Sequence, residues 1–166
     1  MAEEAAGTKW LTAEEQRAWR NYIEATTMLL EVLDRQLQQD SGMPHGYYEI
    51  LVRLSEADQS TMRMSELADS TRSSRSRLSH AVSRLEERGW VARRDCETDR
   101  RGQLAQLTAD GQQALASAAP GHVATVRAHM IDALSTDQIQ QLGDIAQAVI
   151  DNLGAPAVSA AGRPST

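Results

Sequence analysis

A chain of 166 residues is long enough for one domain, or for two small lobes that share a core. Acidic residues outnumber basic residues by 23 to 17, so the formal net charge is −6 and a uniformly basic protein is excluded. The single cysteine, Cys96, excludes an intrachain disulfide framework and a cysteine-rich zinc site. No segment approaches the ~20 apolar residues of a membrane-spanning helix, and no apolar core follows the acidic start, so we expect a cytoplasmic protein without membrane contact.

The charge is distributed unevenly along the chain. Between Arg72 and Arg101 there are nine arginines and five acidic residues, which gives this segment a charge of +4. The remaining residues therefore carry −10. A cationic centre between acidic flanks is typical of a protein that contacts a polyanion with one face only.

The first two helices are indicated by their ends and by their apolar spacing. Thr12-Ala-Glu-Glu15 is a capping box, in which the threonine hydroxyl and the glutamate carboxylate bond free N–H groups. Apolar residues then recur at close to the helical period as far as Leu37, and the helix ends near Ser41-Gly42. Pro44 suits the first position of a second helix, which continues through Leu54.

A short helix, a turn and a longer helix come next. Ser65 can cap a short helix that contains Ala68, and the polar run Ser70–Ser74 predicts a turn. Apolar residues at the spacing i, i+3, i+4, i+7 then predict a helix, which Gly89 ends; they are Leu78, Ala81, Val82 and Leu85.

After this helix the apolar period changes from 3.6 to 2. Trp90–Arg93 and Gln103–Leu107 therefore predict two strands around a charged loop at 94–102. The helical period returns in a long segment at about 109–134, where Pro120-Gly121 predicts a kink or a break. Ser135-Thr-Asp-Gln138 is a second capping box, and it starts a last amphipathic helix.

This order of elements predicts a mainly α-helical fold with a small β-wing, that is, a winged helix-turn-helix domain with N- and C-terminal dimerisation helices. The predicted parts are a flexible N-terminus at 1–11, an N-terminal dimerisation helix at 12–42, a winged helix-turn-helix DNA-binding domain at 43–108, C-terminal dimerisation helices at 109–153 and a disordered tail at 154–166. The flanking helices carry apolar stripes that no other domain covers, so we expect a homodimer.

The second helix of a helix-turn-helix lies in the major groove of DNA, and its N-terminal side chains meet base edges. Arginine bonds guanine in bidentate fashion, and the hydroxyls of Thr71 and Ser74 suit phosphates. Arg100 or Arg101 at the wing tip could enter a minor groove, with Asp99 holding one guanidinium group. The competing interpretations are a solvated helix face and an ordinary charged hairpin. The helix residues that we predict to face DNA are Arg75, Ser76, Arg77, Ser79, His80 and Arg84.

Several short motifs, taken together and in order, resemble the MarR family of bacterial transcriptional regulators over roughly 13–153. They are Ser65-Glu-Leu-Ala68, Ser74-Arg-Ser-Arg-Leu-Ser79, Arg84-Leu-Glu-Glu-Arg-Gly89, Asp99-x-Arg101 and Leu107-Thr108. Leu33-Asp-Arg-Gln-Leu37 with Tyr48-x-x-Leu51 is similar to an actinobacterial-type subgroup. The resemblance implies a triangular dimer that reads a pseudo-palindromic operator in double-stranded DNA, usually as a repressor.

The family pattern also implies roles for individual residues. Ser76, Arg77, His80 and Arg84 match its base-reading positions. Ser74 and Arg75 match phosphate contacts, and Arg101 with Asp99 matches the minor-groove arginine of the wing. The chain departs from the pattern at Thr71-Arg-Ser73, where apolar residues are usual, and at His80, where arginine is common.

Family members often bind a small aromatic acid or phenol between the dimerisation helices and the winged domain. Trp19, Tyr22, His45 and Tyr48 are the candidates for such a pocket here, and core packing is the alternative for each. Cys96 is a second sensor candidate, but it is not at the N-terminal position of the sensing cysteine in oxidant-responsive members and has no resolving cysteine.

The competing function is an acidic helical protein–protein interaction module that has lost DNA binding, for which the polar turn and His80 are the support. An enzyme is not expected, because the chain has no glycine-rich phosphate loop and no Gly-x-Ser-x-Gly elbow. The histidines lack metal-ligand spacing, and we expect no metal and no cofactor.

Overall fold

The computed structural model describes residues 8–96 and 99–154, and the side chains of all of these except 99–101. Helix α1 spans Ala13–Ser41. The predicted capping box is present, with the Glu15 N–H donating to the Thr12 hydroxyl and the Thr12 N–H donating to the Glu15 carboxylate. Gly42 ends the helix at a φ of 62°, a left-handed conformation that suits glycine. Both predicted ends of the first helix are therefore confirmed.

The middle of the chain forms a compact unit, here called the winged unit, at residues 45–107. Its elements are α2 (His45–Glu56), a 3₁₀ turn (Asp58–Ser60), β1 (Thr61–Arg63), α3 (Met64–Ser70), α4 (Arg75–Glu87), β2 (Val91–Cys96) and β3 (Asp99–Leu107). The predicted order of helix, short helix, turn, helix and strands is confirmed, and with it the winged helix fold.

The sheet differs from the prediction in having three strands instead of two. All pairs are antiparallel in the order β1-β3-β2, with Thr61 opposite Gln106 and Val91 opposite Leu107. A strand of three residues is too short to show a period of 2, so only pairing with β3 reveals β1. Strands β2 and β3 are also longer than predicted, because the charged residues that we placed in the loop extend the hairpin as far as Cys96 and Asp99.

Two further long elements follow the sheet. Helix α5 spans Ala109–His129, and α6 spans Thr136–Asn152 after a 3₁₀ turn at Ile131–Ala133. The predicted break at Pro120 is wrong, since α5 continues through this residue. Packing of α5 against α1 and α2 on both sides of the proline offsets the lost hydrogen bond. The Ser135–Gln138 capping box is confirmed.

Two predicted helix starts are shifted by one or two residues. Pro44 precedes α2 as its N-cap residue instead of occupying the first helical position. Ser65 does not cap α3, because that helix already begins at Met64 and Arg63 is its N-cap residue. In both cases the chain enters the helix from an extended residue that the local sequence does not distinguish.

The core connects the winged unit to two of the flanking helices. Its buried side chains come from α2, α3, α4 and the strands, together with Leu37 of α1, Met43 between α1 and α2, and Leu115 and Ala118 of α5. Helix α6 contributes no buried residue. Within the described part of the chain, no helix is long and apolar enough to cross a membrane.

Candidate nucleic-acid interface

A tight turn sets the start of α4. The Ser74 hydroxyl caps the helix by accepting a hydrogen bond from the Arg77 N–H at 3.3 Å. The Thr71 hydroxyl donates to the Leu67 carbonyl oxygen at 2.8 Å and so helps to end α3. Arg72, between them, has a φ of 51°, in the left-handed region. Both hydroxyls expected to meet phosphates thus already have a partner within the chain, and each keeps some hydrogen-bonding capacity.

Helix α4 presents three faces. Leu78, Val82 and Leu85 are buried in the core, as their spacing predicts. A second face lies against β2. The third face, here called the open face, carries Arg77, His80 and Arg84 and points away from both. The helix residues predicted to contact DNA are all exposed: Ser74, Arg75, Ser76, Arg77, Ser79, His80 and Arg84. Their contact with DNA stays a prediction.

Arg84 on the open face has a partner on its own helix. Its guanidinium Nη1 lies 2.8 Å from the Glu87 carboxylate, and both side chains are exposed. The hydrogen bond and the charge of Glu87 raise the pKa of Arg84 above its usual value. Arg84 must therefore give up or share this carboxylate in order to bind a phosphate or a base.

Ser79 lies beside the open face and is engaged by the sheet. Its carbonyl oxygen accepts a hydrogen bond at 2.7 Å from the guanidinium of Arg93 on β2. The same guanidinium lies 3.1 Å from the Ser83 hydroxyl and 3.3 Å from the Glu86 carboxylate. The role of Arg93 was not predicted, because its side chain meets α4 only once β2 has paired in the sheet.

The wing consists of β2 and β3, joined at 97–98. Arg94 and Asp95 are exposed on β2. Asp99, Arg100 and Arg101, the predicted wing residues, belong to β3, and their side chains lie outside the described residues.

The four residues proposed for an effector pocket fall into two groups. Trp19 and Tyr22 are more than half exposed and lie in the first half of α1. His45 and Tyr48 lie in the first turn of α2, beside the C-terminal half of α1. The His45 N–H donates to the Asp34 carboxylate of α1 at 2.8 Å. Trp19 precedes Asp34 by fifteen residues, or roughly 22 Å of helix. Within one protomer the structure therefore brings together only the second pair.

The second pair meets a histidine of α5. The His122 ring centroid lies 4.4 Å from that of Tyr48 and 5.8 Å from that of His45. Burial, and secondarily the nearby His45, lower the pKa of His122. The position of His122 on its helix does not reveal the contact with α2, so this contact was not predicted from the sequence.

Large apolar side chains are exposed on α1 and α6. Trp19, Tyr22 and Ile23 of α1 are 42–56% exposed, and Ile145, Val149 and Leu153 of α6 and its C-cap are 47–74% exposed. A single protomer therefore leaves the apolar stripes of both helices uncovered, as the expected homodimer requires.

One arginine connects the end of α4 to the end of α1. The Arg88 guanidinium donates to the Gly42 carbonyl oxygen at 3.0 Å. It also lies over the rings of Trp90 and Tyr47, at 4.9 Å and 6.0 Å from their centroids. The last turn of α4 is thereby joined to the cap of the longest helix.

The remaining candidate sites are weakened by burial or by spacing. Cys96 is only 9% exposed, whereas a sensor thiol needs access to its oxidant. Among the described residues, no three His, Cys, Asp or Glu side chains are grouped as a metal site requires.

Comparison with known proteins gives one consistent result. The model of the MarR family matches residues 41–102, from the end of α1 into the wing. The transcriptional repressor MprA of Escherichia coli K12 is 30% identical over 125 residues, which are 75% of this chain and 70% of MprA.

Two crystal structures from Streptomyces coelicolor are similar over nearly the whole chain. Sco3205, a MarR family transcriptional regulator solved in complex with DNA, is 53% identical, with a TM-score of 0.85 over 89% of this chain and 92% of that one. AbsC, also a MarR family transcriptional regulator, is 42% identical, with a TM-score of 0.84 over 90% of this chain and 100% of that one.

Proposed function

The chain belongs to the MarR family of transcriptional regulators, and on that premise we propose that it binds an operator in double-stranded DNA as a homodimer and represses transcription. The observation that carries the proposal is the open face of α4. Arg77, His80 and Arg84 are exposed there, opposite the buried face of the helix. Sco3205, which is 53% identical in a match that covers 89% of this chain, was solved in complex with DNA.

The homodimer follows from the uncovered apolar side chains of the flanking helices. Leaving Trp19, Ile145 and Leu153 in water costs free energy that a second copy recovers by burying them. A dimer also presents two α4 helices, and two helices about one duplex turn apart fit a pseudo-palindromic operator.

We also propose that a small aromatic acid or phenol releases the protein from DNA. We restrict the candidate ligand site to His45 and Tyr48, two of the four residues predicted for it. His45 and Tyr48 share that site with His122, where α1, α2 and α5 meet. A ligand held there would contact the flanking helices and the winged unit together, and it could favour one arrangement of the dimer. Salicylate is a suitable first probe: it should raise the melting temperature of wild-type protein, and this rise should be smaller in His45→Gln.

The test of DNA binding starts from a duplex of about 30 base pairs, selected from a random library with the wild-type protein. We expect Arg77→Gln to lower affinity for this duplex by about 5- to 150-fold, the range of one bidentate base contact. Arg17→Gln, on the exposed surface of α1, is the matched control and should bind normally.

Light scattering on both variants checks that the dimer survives. Equal affinities of Arg77→Gln and Arg17→Gln would reject the base-reading role and favour the protein–protein interaction module. The wild-type protein should also lose affinity with rising salt, by about 0.9 log units per tenfold salt for each phosphate neutralised.

A further inference from the structure

Arg93 of β2 contacts three residues on one side of α4. Its guanidinium Nη2 donates to the Ser79 carbonyl oxygen at 2.7 Å and to the Ser83 hydroxyl at 3.1 Å, with the Ser79 hydroxyl at 3.4 Å. Its Nε lies 3.3 Å from the Glu86 carboxylate, which also accepts the Arg93 backbone N–H at 3.2 Å. One residue of the wing thus contacts two consecutive turns of the helix.

The three contacted residues form a stripe that adjoins the open face. Ser79, Ser83 and Glu86 follow the spacing i, i+4, i+7, so they lie one above another on the helix. At 100° per residue, this stripe lies roughly a quarter turn from the row formed by Ser76, His80 and Arg84. Rotation of α4 about its axis would break the Arg93 contacts and turn that row away from its present direction.

The Arg93 side chain is committed to these contacts. It is 22% exposed, and the Glu86 carboxylate that pairs with it is 32% exposed. Arg94, the next residue on the strand, is exposed, as expected where successive side chains point to opposite faces. The two arginines thus provide equal charge in adjacent positions, one turned inward to α4 and the other outward.

We propose that Arg93 is a positioning residue that fixes the rotation of α4 relative to the wing, and so acts on sequence recognition without contacting DNA. The proposal rests on the DNA-binding function proposed above. A planar guanidinium can bond several acceptors at once in a fixed geometry, whereas the lysine ammonium is a single point charge. Lysine at this position therefore keeps the charge and loses the orientation.

The decisive measurement compares Arg93→Gln, Arg93→Lys and Arg94→Gln on two probes. One probe is the library-selected duplex, and the other is a scrambled duplex of the same length and composition. We expect Arg93→Gln and Arg93→Lys to lower affinity for the selected duplex at least tenfold, with little change on the scrambled duplex. Arg94→Gln should change both affinities by the same small factor.

A direct phosphate contact by Arg93 would give a different pattern. Arg93→Gln would then weaken both probes equally, Arg93→Lys would restore binding, and the salt slope would fall by about 0.9. That outcome overturns the positioning role.

A second variant and a second readout guard against misfolding of the arginine variants. Ser83→Ala removes one acceptor and leaves the core intact, and we expect it to lower the ratio of selected to scrambled affinity by about threefold. In combination with Arg93→Gln the two effects should not add, because they break one network. Additive effects would contradict the proposal.

Amide hydrogen exchange of the peptide covering α4 tests the same coupling without DNA. Exchange should be faster in Arg93→Gln and unchanged in Arg94→Gln. If the wild-type protein selects no duplex, the proposed function fails, while this exchange comparison still decides whether Arg93 holds the helix.

Discussion

The winged unit and the flanking helices differ in whether their side chains near the surface find partners within the same chain. In the winged unit, arginines such as Arg84, Arg88 and Arg93 find acceptors on the same chain. In α1 and α6, apolar side chains such as Trp19 and Ile145 are exposed and α6 buries none. The arginines of the winged unit are thus paired within one chain, whereas the apolar side chains of α1 and α6 are the ones that the proposed dimer would cover.

The largest effect is expected from a charge placed in the uncovered apolar stripe of α6. Ile145→Asp should convert the proposed dimer to a monomer, with dimer affinity lowered at least about a hundredfold, because an unpaired carboxylate would have to be buried. Light scattering over a dilution series measures this. Gln140→Asp, on the opposite side of α6, is the control and should stay dimeric. A dimeric Ile145→Asp protein would show that α6 is not at the interface.

A second substitution tests the joint between the two regions. An added Cβ on Gly111, in the first turn of α5, would overlap the Trp90 carbonyl oxygen and the Leu107 side chain. Gly111→Ala should therefore lower the free energy of unfolding by about 3 kcal/mol, measured by urea denaturation. Gly46→Ala, which meets nothing within 4 Å in α2, should be neutral or stabilising by about 0.5 kcal/mol. Equal stability of the two variants would contradict the close contact.

A substitution at Glu87 tests the pairing of arginines within the winged unit. Removing its charge frees Arg84 and reduces repulsion of DNA, so Glu87→Gln should raise affinity for the selected duplex about two- to fivefold. Glu56→Gln removes the carboxylate of another Arg–Glu pair, on α2, and should leave affinity unchanged. Weaker binding by Glu87→Gln would mean that Glu87 instead orients Arg84 for DNA.

The smallest expected effect concerns pH, at the contact between the two regions. Burial lowers the pKa of His122, so the unfolded chain binds a proton at that residue at higher pH than the folded chain. The free energy of unfolding should therefore fall as the pH drops below about 6.5, and this contribution should level off below the folded-state pKa.

Melting temperatures at pH 7.5, 6.5 and 5.5 test this expectation. His122→Gln should reduce the pH dependence, whereas His129→Gln, exposed on the same helix, should retain it. An unchanged dependence in His122→Gln would assign it to other groups.

Local signals in the sequence were sufficient for several helix ends and insufficient for the contacts between elements. The capping boxes at Thr12 and Ser135 and the left-handed Gly42 depend on neighbouring residues only, so they were predictable. Strand β1, by contrast, exists through its pairing with β3. A three-residue segment carries too few side chains to reveal that partner.

The same limit applies to the candidate site. The exposed row on α4 follows from helical spacing, because burial of Leu78, Val82 and Leu85 fixes which side remains open. The contact of Arg93 with Ser79 joins residues fourteen positions apart on two elements, so no local pattern contains it. The contact of His122 with Tyr48 spans an even longer stretch of chain and was missed for the same reason.

The hydrogen bond between Arg88 and Gly42 connects the end of α4 directly to the end of α1. The accepting carbonyl group belongs to Gly42, which ends α1, and the donating guanidinium belongs to Arg88, the residue directly after α4. A tilt of α1 would therefore act on the end of α4 through the Arg88 side chain. A molecule bound against α1 would then change the affinity of the protein for DNA without touching DNA itself.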